Sequence, residues 1–307
     1  MALSNPSIGG RKKIPVILDT DIGTDIDDTW ALGLLLKCPE LDLKLVTSDE
    51  GDTTYRARII AKFLEVTGRT DVPVGVGIRQ PMKRKSKLQT GWIKNYSLSR
   101  YPGRVYPDGV GALIDTIMNS KEKVTLICIG PVPNIGAALK REPRIASRAR
   151  FVGMHGSLFW SHHSDGAPIA EYNVKKAVNA CQRTFTAPWE KTITPLDTCG
   201  RVRLTGRKYR AVVESSDPVA RAVIENYEVW KKYGGWVQDK GMSSILFDCV
   251  AFYLAFTNDL LKMRRMGVRV TDDGRTVEDR KAPRVNCALE WRDMRRFEDL
   301  LVQRLTQ

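Results

Sequence analysis

The chain has 307 residues, 42% hydrophobic and 27% charged, a globular balance with length enough for one large core or two modest ones, which excludes a disordered protein. No window approaches the run of about 18 apolar residues that a membrane helix needs. Residues 1–13 lack a secretory apolar stretch, so a soluble, cytoplasmic protein with no membrane partner is expected. The six cysteines, Cys38, Cys128, Cys181, Cys199, Cys249 and Cys287, are scattered without a CxxC pair. They suggest neither a disulfide scaffold nor structural zinc and read as reduced, mostly buried thiols. Lys and Arg outnumber Asp and Glu by 49 to 35, a net charge of +14 that raises an anionic partner. The densest basic patch, Lys83, Arg84, Lys85 and Lys87, precedes Trp92, Tyr96 and Tyr101 in a segment punctuated by Gly and Pro. RNA-reading modules carry their aromatics on strands of a compact unit, so this patch reads as a solvated loop and nucleic acid is not the expected partner.

Residues 14–18 form a short apolar run ending in acids, a buried-strand pattern, and from Asp28 the residues Trp30, Ala31, Leu32, Leu34, Leu35 and Leu36 fit a buried helix. Residues 43–46 predict a second strand. Over 53–67, Ile59, Ile60, Phe63 and Leu64 share one helical face, with Gly68 as C-terminal cap. A third strand is predicted at 72–76, and the stretch 77–109 is too long for a mere connector. A helix over 110–118, a strand over 124–129, a helix over 134–140 and a strand over 151–154 follow. A polar loop then holds all three histidines, and a helix over 174–187 is stopped by Pro188. Residues 192–204 read as strand-like, 218–232 and 243–256 as helices, 268–270 and 285–289 as strands, and 293–305 as a closing amphipathic helix. No repeat or low-complexity linker divides the chain. The pattern predicts a single α/β domain over 1–307, residues 1–12 being a flexible N-terminus, with a largely parallel Rossmann-like sheet flanked by helices. In such sheets, chemistry belongs just after the strands.

The segment 19–28 places Asp19, Asp21, Asp25, Asp27 and Asp28 where a buried strand hands over to a helix. Five carboxylates so close repel one another unless a cation is present, and all-oxygen ligation suits calcium or magnesium. Asp27 and Asp28 also stand where a helix dipole favours negative charge. A helix cap alone uses one or two acids. The spacing is no EF-hand, since Trp30 stands where its glutamate belongs.

This turn resembles the N-terminal DxDxGxDD signature of the nucleoside hydrolase family, the inosine-uridine type of N-ribohydrolases, with two extra residues before Asp27-Asp28. Three more blocks in the family's order extend the resemblance over most of the chain: Ile129-Gly130-Pro131-Val132-Pro133-Asn134-Ile135, Ala170-Glu171-Tyr172-Asn173-Val174, and Leu246-Phe247-Asp248, the last read as lying inside a helix. The resemblance implies one Ca²⁺ held by Asp21, Asp28, the backbone carbonyl of Ile129 and Asp248, with positions left for a water and two ribose hydroxyls. It makes Asp21 the general base for that water and Asp27 an acceptor for a ribose hydroxyl. Asp248 also meets the sugar, and Glu171 and Asn173, two apart and so on one side of an extended segment, bind its hydroxyls. The substrate is then a ribonucleoside, cleaved at its N-glycosidic bond through an oxocarbenium-like state. A homodimer or homotetramer is the implied assembly.

The chain departs from the family pattern in several places. Phe247 stands where a histidine protonates the departing base, so that step does not carry over. His155, His162 and His163 are the histidine candidates for an acid, and Cys249 is a further one, although a core thiol suits it better. Gly51-Asp52 stands where the family offers Gly-Asn to the ribose, with Asp49 the alternative in a shifted alignment. Asp165 lies near a family asparagine. The expanded turn leaves open whether Asp21 or Asp25 faces the metal; the unchanged offset from the strand favours Asp21. Trp160 and Tyr172 are candidates for stacking on a base. Base preference is not legible. Two other readings remain: a metal-dependent phosphatase with Asp19 as nucleophile, and a catalytically silent nucleoside- or RNA-binding relative.

Overall fold

A computed structural model of the protein describes residues 12–234 and 241–307; of the expected flexible segment 1–12, all but residue 12 lies outside them. The strands are β1 (Ile14–Thr20), β2 (Leu41–Ser48), β3 (Val74–Val76), β4 (Val105–Tyr106), β5 (Val124–Cys128), β6 (Ala149–Met154), β7 (Lys191–Thr194), β8 (Leu261–Val270), β9 (Thr276–Glu278) and β10 (Arg284–Trp291). They form one sheet in the order β4-β3-β2-β1-β5-β6-β7-β10-β8-β9. Pairing is parallel from β4 through β7 to β10 and antiparallel only at β10-β8 and β8-β9.

Consecutive strand residues point to opposite faces, and both faces are apolar. On one face Leu18 joins a core with Trp30, Ile60, Tyr227 and Phe252; on the other Ile17 joins Leu45, Leu113, Leu126, Ile135 and Phe151. Helices therefore cover both sides. Two of them, Asp27–Leu36 and Cys249–Phe256, are enclosed almost entirely, and they pack against each other. Strand order reverses at β1, which pairs with β2 on one side and β5 on the other, so the carboxyl ends of β1 and β5 open a crevice at this switch point.

Four expectations need correction. Residues 192–204 are not one strand: Pro195 ends β7 early and a short helix, Leu196–Cys199, follows. The helix expected over 243–256 starts only at Cys249, so Phe247 and Asp248 stand in the turn before it. The helix over 174–187 is two pieces, Tyr172–Lys176 and Val178–Thr186, with a non-helical Ala177 between them. The strand expected near 268–270 begins at Leu261, where alternating charged and apolar residues mark its solvent-facing edge.

Candidate active site

The turn after β1 leads into the Asp27–Leu36 helix, whose first turn carries Asp27 and Asp28. Asp248 immediately precedes the Cys249–Phe256 helix. Because the two helices pack together, their N-termini converge, and Asp27, Asp28 and Asp248 each bring a buried carboxylate oxygen within 4.8 Å of the others. Burial, and after it repulsion from neighbouring carboxylates, pushes all three well above the usual carboxylate range. No lysine or arginine forms an ion pair with them among the described residues. Helix dipoles offset only part of such repulsion. This donor set, all hard oxygen and short of positive charge, fits a divalent cation.

The rest of the turn is held from behind by Arg56, fully buried in the Thr53–Val66 helix. Its Nη1 donates to the carbonyls of Asp21 and of Ile22 (2.9 Å), its Nη2 to Thr24 Oγ1 (3.2 Å) and Glu50 Oε2 (2.6 Å), and its Nε to the Glu50 carbonyl (2.7 Å). Arg56 thereby also holds Glu50, which has φ 58° and is the one non-glycine described in the left-handed region. Gln89, from the long 77–109 segment, donates to the Asp25 carbonyl (3.0 Å). Gly130 lies against Asp21: a Cβ there would come within 2.7 Å of Asp21 Oδ1 and 2.9 Å of its Cβ, so only glycine permits this packing.

Above the cluster is a cavity of about 890 Å³, within the range of about 300–1,000 Å³ typical of ligand pockets. Asp21, Asp25, Asp27, Asp28, Ile129, Glu171, Asn173 and Asp248 all line it. Burial raises Asp21 and Asp25 to about 6. Asn173 Nδ2 donates to the carbonyls of Ile129 (2.9 Å) and Met154 (3.0 Å), tying the ends of β5 and β6 together. Glu171 caps its helix, accepting from the N–H groups of Asn173 (2.7 Å) and Gly156 (3.0 Å), so it has a structural role as well as a place in the cavity wall. Burial lifts it to about 7. Tyr172 also lines the cavity, 51% exposed.

Other expected residues lie elsewhere. Asp52 is not on the cavity wall: it caps the Thr53–Val66 helix through Tyr55 N–H (3.1 Å) and pairs with Lys87 Nζ (2.5 Å). Asp49 is fully buried, both carboxylate oxygens lacking a hydrogen-bond partner, and does not line the cavity either. Asp19 is enclosed, accepting from Thr47 and from Asn134 Nδ2 (2.9 Å), which removes the accessible nucleophile a phosphatase needs. His155 packs beside Phe151 and Phe185, where burial pushes it down to about 3. Cys249 is core, its thiol held protonated by burial. Asp165 serves the histidine loop, accepting from Ala167 N–H (3.1 Å). Trp160 lies under Arg201, whose guanidinium is 3.8 Å from the ring centre, and is not a cavity residue. The aromatics after the basic patch, Trp92, Tyr96 and Tyr101, are buried.

His162 and His163 do reach the cavity, and the His162 ring meets Phe247 edge-on at 5.1 Å. Their loop is anchored by the buried Asp197, which accepts from the N–H groups of Leu158 (2.9 Å), Phe159 (2.8 Å) and Trp160 (3.1 Å). Nothing in the sequence around Asp197 marks this role. Arg203, Ser244 and Ile245 also line the wall, from irregular segments whose pattern suggests strand or helix, and so does Met242, to which the pattern assigns no element.

Comparison with known proteins agrees with this architecture. The profile of the inosine-uridine preferring nucleoside hydrolase family matches residues 16–299. A pyrimidine-specific ribonucleoside hydrolase, RihA of Enterobacter sp. (strain 638), is 30% identical over 235 residues, 72% of each chain. Among solved structures, the plant nucleoside hydrolase PpNRh1 superposes with a TM-score of 0.82 at 22% identity, covering 96% of this chain and 99% of its own. An inosine-uridine preferring nucleoside hydrolase from Bacillus anthracis gives 0.78 at 20%, covering 95% and 99%. Such distant superpositions speak for the fold; the match across most of the sequence goes further, and this chain belongs to the nucleoside hydrolase family, enzymes that hydrolyse the N-glycosidic bond of ribonucleosides.

Proposed function

We propose that this protein is a calcium-dependent ribonucleoside hydrolase with Asp21 as its general base. The observation that carries the reading is the convergence of Asp27, Asp28 and Asp248 at the floor of a nucleoside-sized cavity without a basic side chain paired to them. Asp28 and Asp248 of this cluster, with Asp21 and the Ile129 carbonyl from the same cavity wall, would hold the ion, leaving Asp27, which converges with them, to the sugar; oxygen-only donors suit calcium. Held there, Ca²⁺ would supply positive charge that offsets these carboxylates and makes a nearby water more acidic. Asp21, packed on Gly130, takes the proton from that water as it attacks C1′. Asp27 accepts from a ribose hydroxyl, while Glu171 and Asn173 border the sugar from the opposite segment. Asp52 has no part in this arrangement. The expected assembly is a homodimer or homotetramer, to be read by light scattering.

The test is ribose release from uridine, inosine and p-nitrophenyl riboside, with calcium and with chelator. Hydrolysis that persists unchanged in chelator, or in Asp21→Asn and Asp28→Ala, refutes the assignment. Tight nucleoside binding without turnover would instead identify a silent relative.

A further inference from the structure

The cavity carries charge of two signs. Asp21, Asp25, Asp27, Asp28 and Asp248 contribute the negative side. Next to Asp248 the wall changes character: Phe247 meets His162, and Arg203 joins them. Arg203 is half-buried and donates through Nη1 to the Ser243 carbonyl (3.3 Å), yet no carboxylate pairs with it among the described residues. A guanidinium left unpaired beside a cavity is a standing positive field directed at whatever occupies it. Phe247 has no proton to give. His162 is a poor donor as well, because burial first, and then the charges of His163 and Arg203, disfavour its imidazolium.

Heterolysis of an N-glycosidic bond separates charge in the same sense: the sugar carbon becomes positive and the base negative. Resting on the hydrolase reading above, we propose that Arg203 stabilises the departing nucleobase as an anion, in place of a general acid that protonates it. The C1′–N bond breaks with its electron pair on the base nitrogen, and the water oxygen bonds to C1′. The water's proton passes to Asp21, and the base, held by the guanidinium, is neutralised by a proton from solvent. Substrates whose bases are stable as anions, uracil-type pyrimidines among them, are therefore favoured over those that need protonation to leave.

The experiment compares wild type, Arg203→Met and Arg203→Lys on uridine and on aryl ribosides whose phenol leaving groups span a range of acidity, in calcium. Removing one preorganised donor from developing negative charge costs about 10²–10³-fold. Arg203→Met is expected to lose about 100-fold in kcat/KM on uridine and only several-fold on p-nitrophenyl riboside, whose leaving group is already a stable anion. The dependence of rate on leaving-group acidity steepens accordingly, and Arg203→Lys recovers most of the loss. Equal losses on all substrates, or none, overturn the proposal. So does a loss confined to binding of nucleoside 5′-phosphates, which assigns Arg203 to a phosphate. Wild type that cleaves no riboside refutes the hydrolase reading itself, and this proposal with it.

Discussion

Asp248→Asn tests the acidic cluster through stability rather than turnover. Two unit charges 4.8 Å apart repel by about 3.5 kcal/mol at an effective dielectric constant of about 20, and the three oxygens of Asp27, Asp28 and Asp248 lie within that distance of one another. Three ionised carboxylates would then cost about 10 kcal/mol, comparable with the whole stability of a domain, about 5–15 kcal/mol. Metal-free protein escapes part of that cost by holding protons there, as the upward shift of all three carboxyls implies, and removing one charge relieves two of the three repulsions that ionisation would bring. Asp248→Asn should therefore melt above wild type in chelator. Calcium at about 100 times its Kd stabilises wild type by about 2.7 kcal/mol, a rise of about 5 °C for a chain of this size. The variant, lacking one ligand, should lose that rise. Differential scanning fluorimetry with and without calcium reads both effects. A variant that melts lower than wild type in chelator, or that keeps the full calcium response, refutes the reasoning.

Four further expectations rest on separate observations. Asp21→Asn should lower kcat by about 10²–10⁴-fold in an assay of ribose release, and as a ligand variant it should also lose part of the calcium-induced rise in melting temperature. Gly130→Ala must displace the Asp21 side chain or the backbone it abuts, so a loss of about 1–3 kcal/mol in denaturant titration and reduced turnover are expected together. Asp52→Ala removes a helix cap at a cost of about 1 kcal/mol, and because Asp52 is off the cavity wall, KM for uridine should stay within about twofold. In metal-free protein, Asp19 and Glu171 sit at about 7 and Asp21 and Asp25 at about 6, all above their unfolded values. Folded-state proton uptake then favours the native protein in acid. Its contribution is complete below the unfolded values, about 4, and is lost progressively as pH rises from there through 6 to 7, so the melting temperature in chelator should fall over that whole window, and calcium should flatten the fall.

Local pattern alone made the strand, turn and helix at 14–36 legible, since a run of apolar residues that ends in acids leaves few other ways to fold. The alternation of such units was enough to imply a parallel sheet covered on both faces, and the ten-stranded order bears this out. Asp21, Asp27, Asp28, Glu171, Asn173 and Asp248, to which the family resemblance points through short contiguous motifs, all line the cavity. What the chain order did not reveal was which of these carboxylates meet. Asp248 lies some 220 residues after Asp28, and only the packing of two buried helices brings their N-termini together. The same holds for Arg56, which reads as one of many basic residues and proves to be the buried clamp on the acidic turn. Arg203 and Asp197 likewise lie in the stretch 192–204 that pattern reads as a strand, although neighbours in space rather than in sequence decide its course and environment. Asp52 shows the converse: its motif position suggested the sugar, but the start of a helix and the reach of Lys87 took its carboxylate instead. Periodicity and spacing are properties of a few adjacent residues, whereas desolvation, charge pairing and access to a cavity are set by contacts between distant ones, and for those the tertiary fold alone decides.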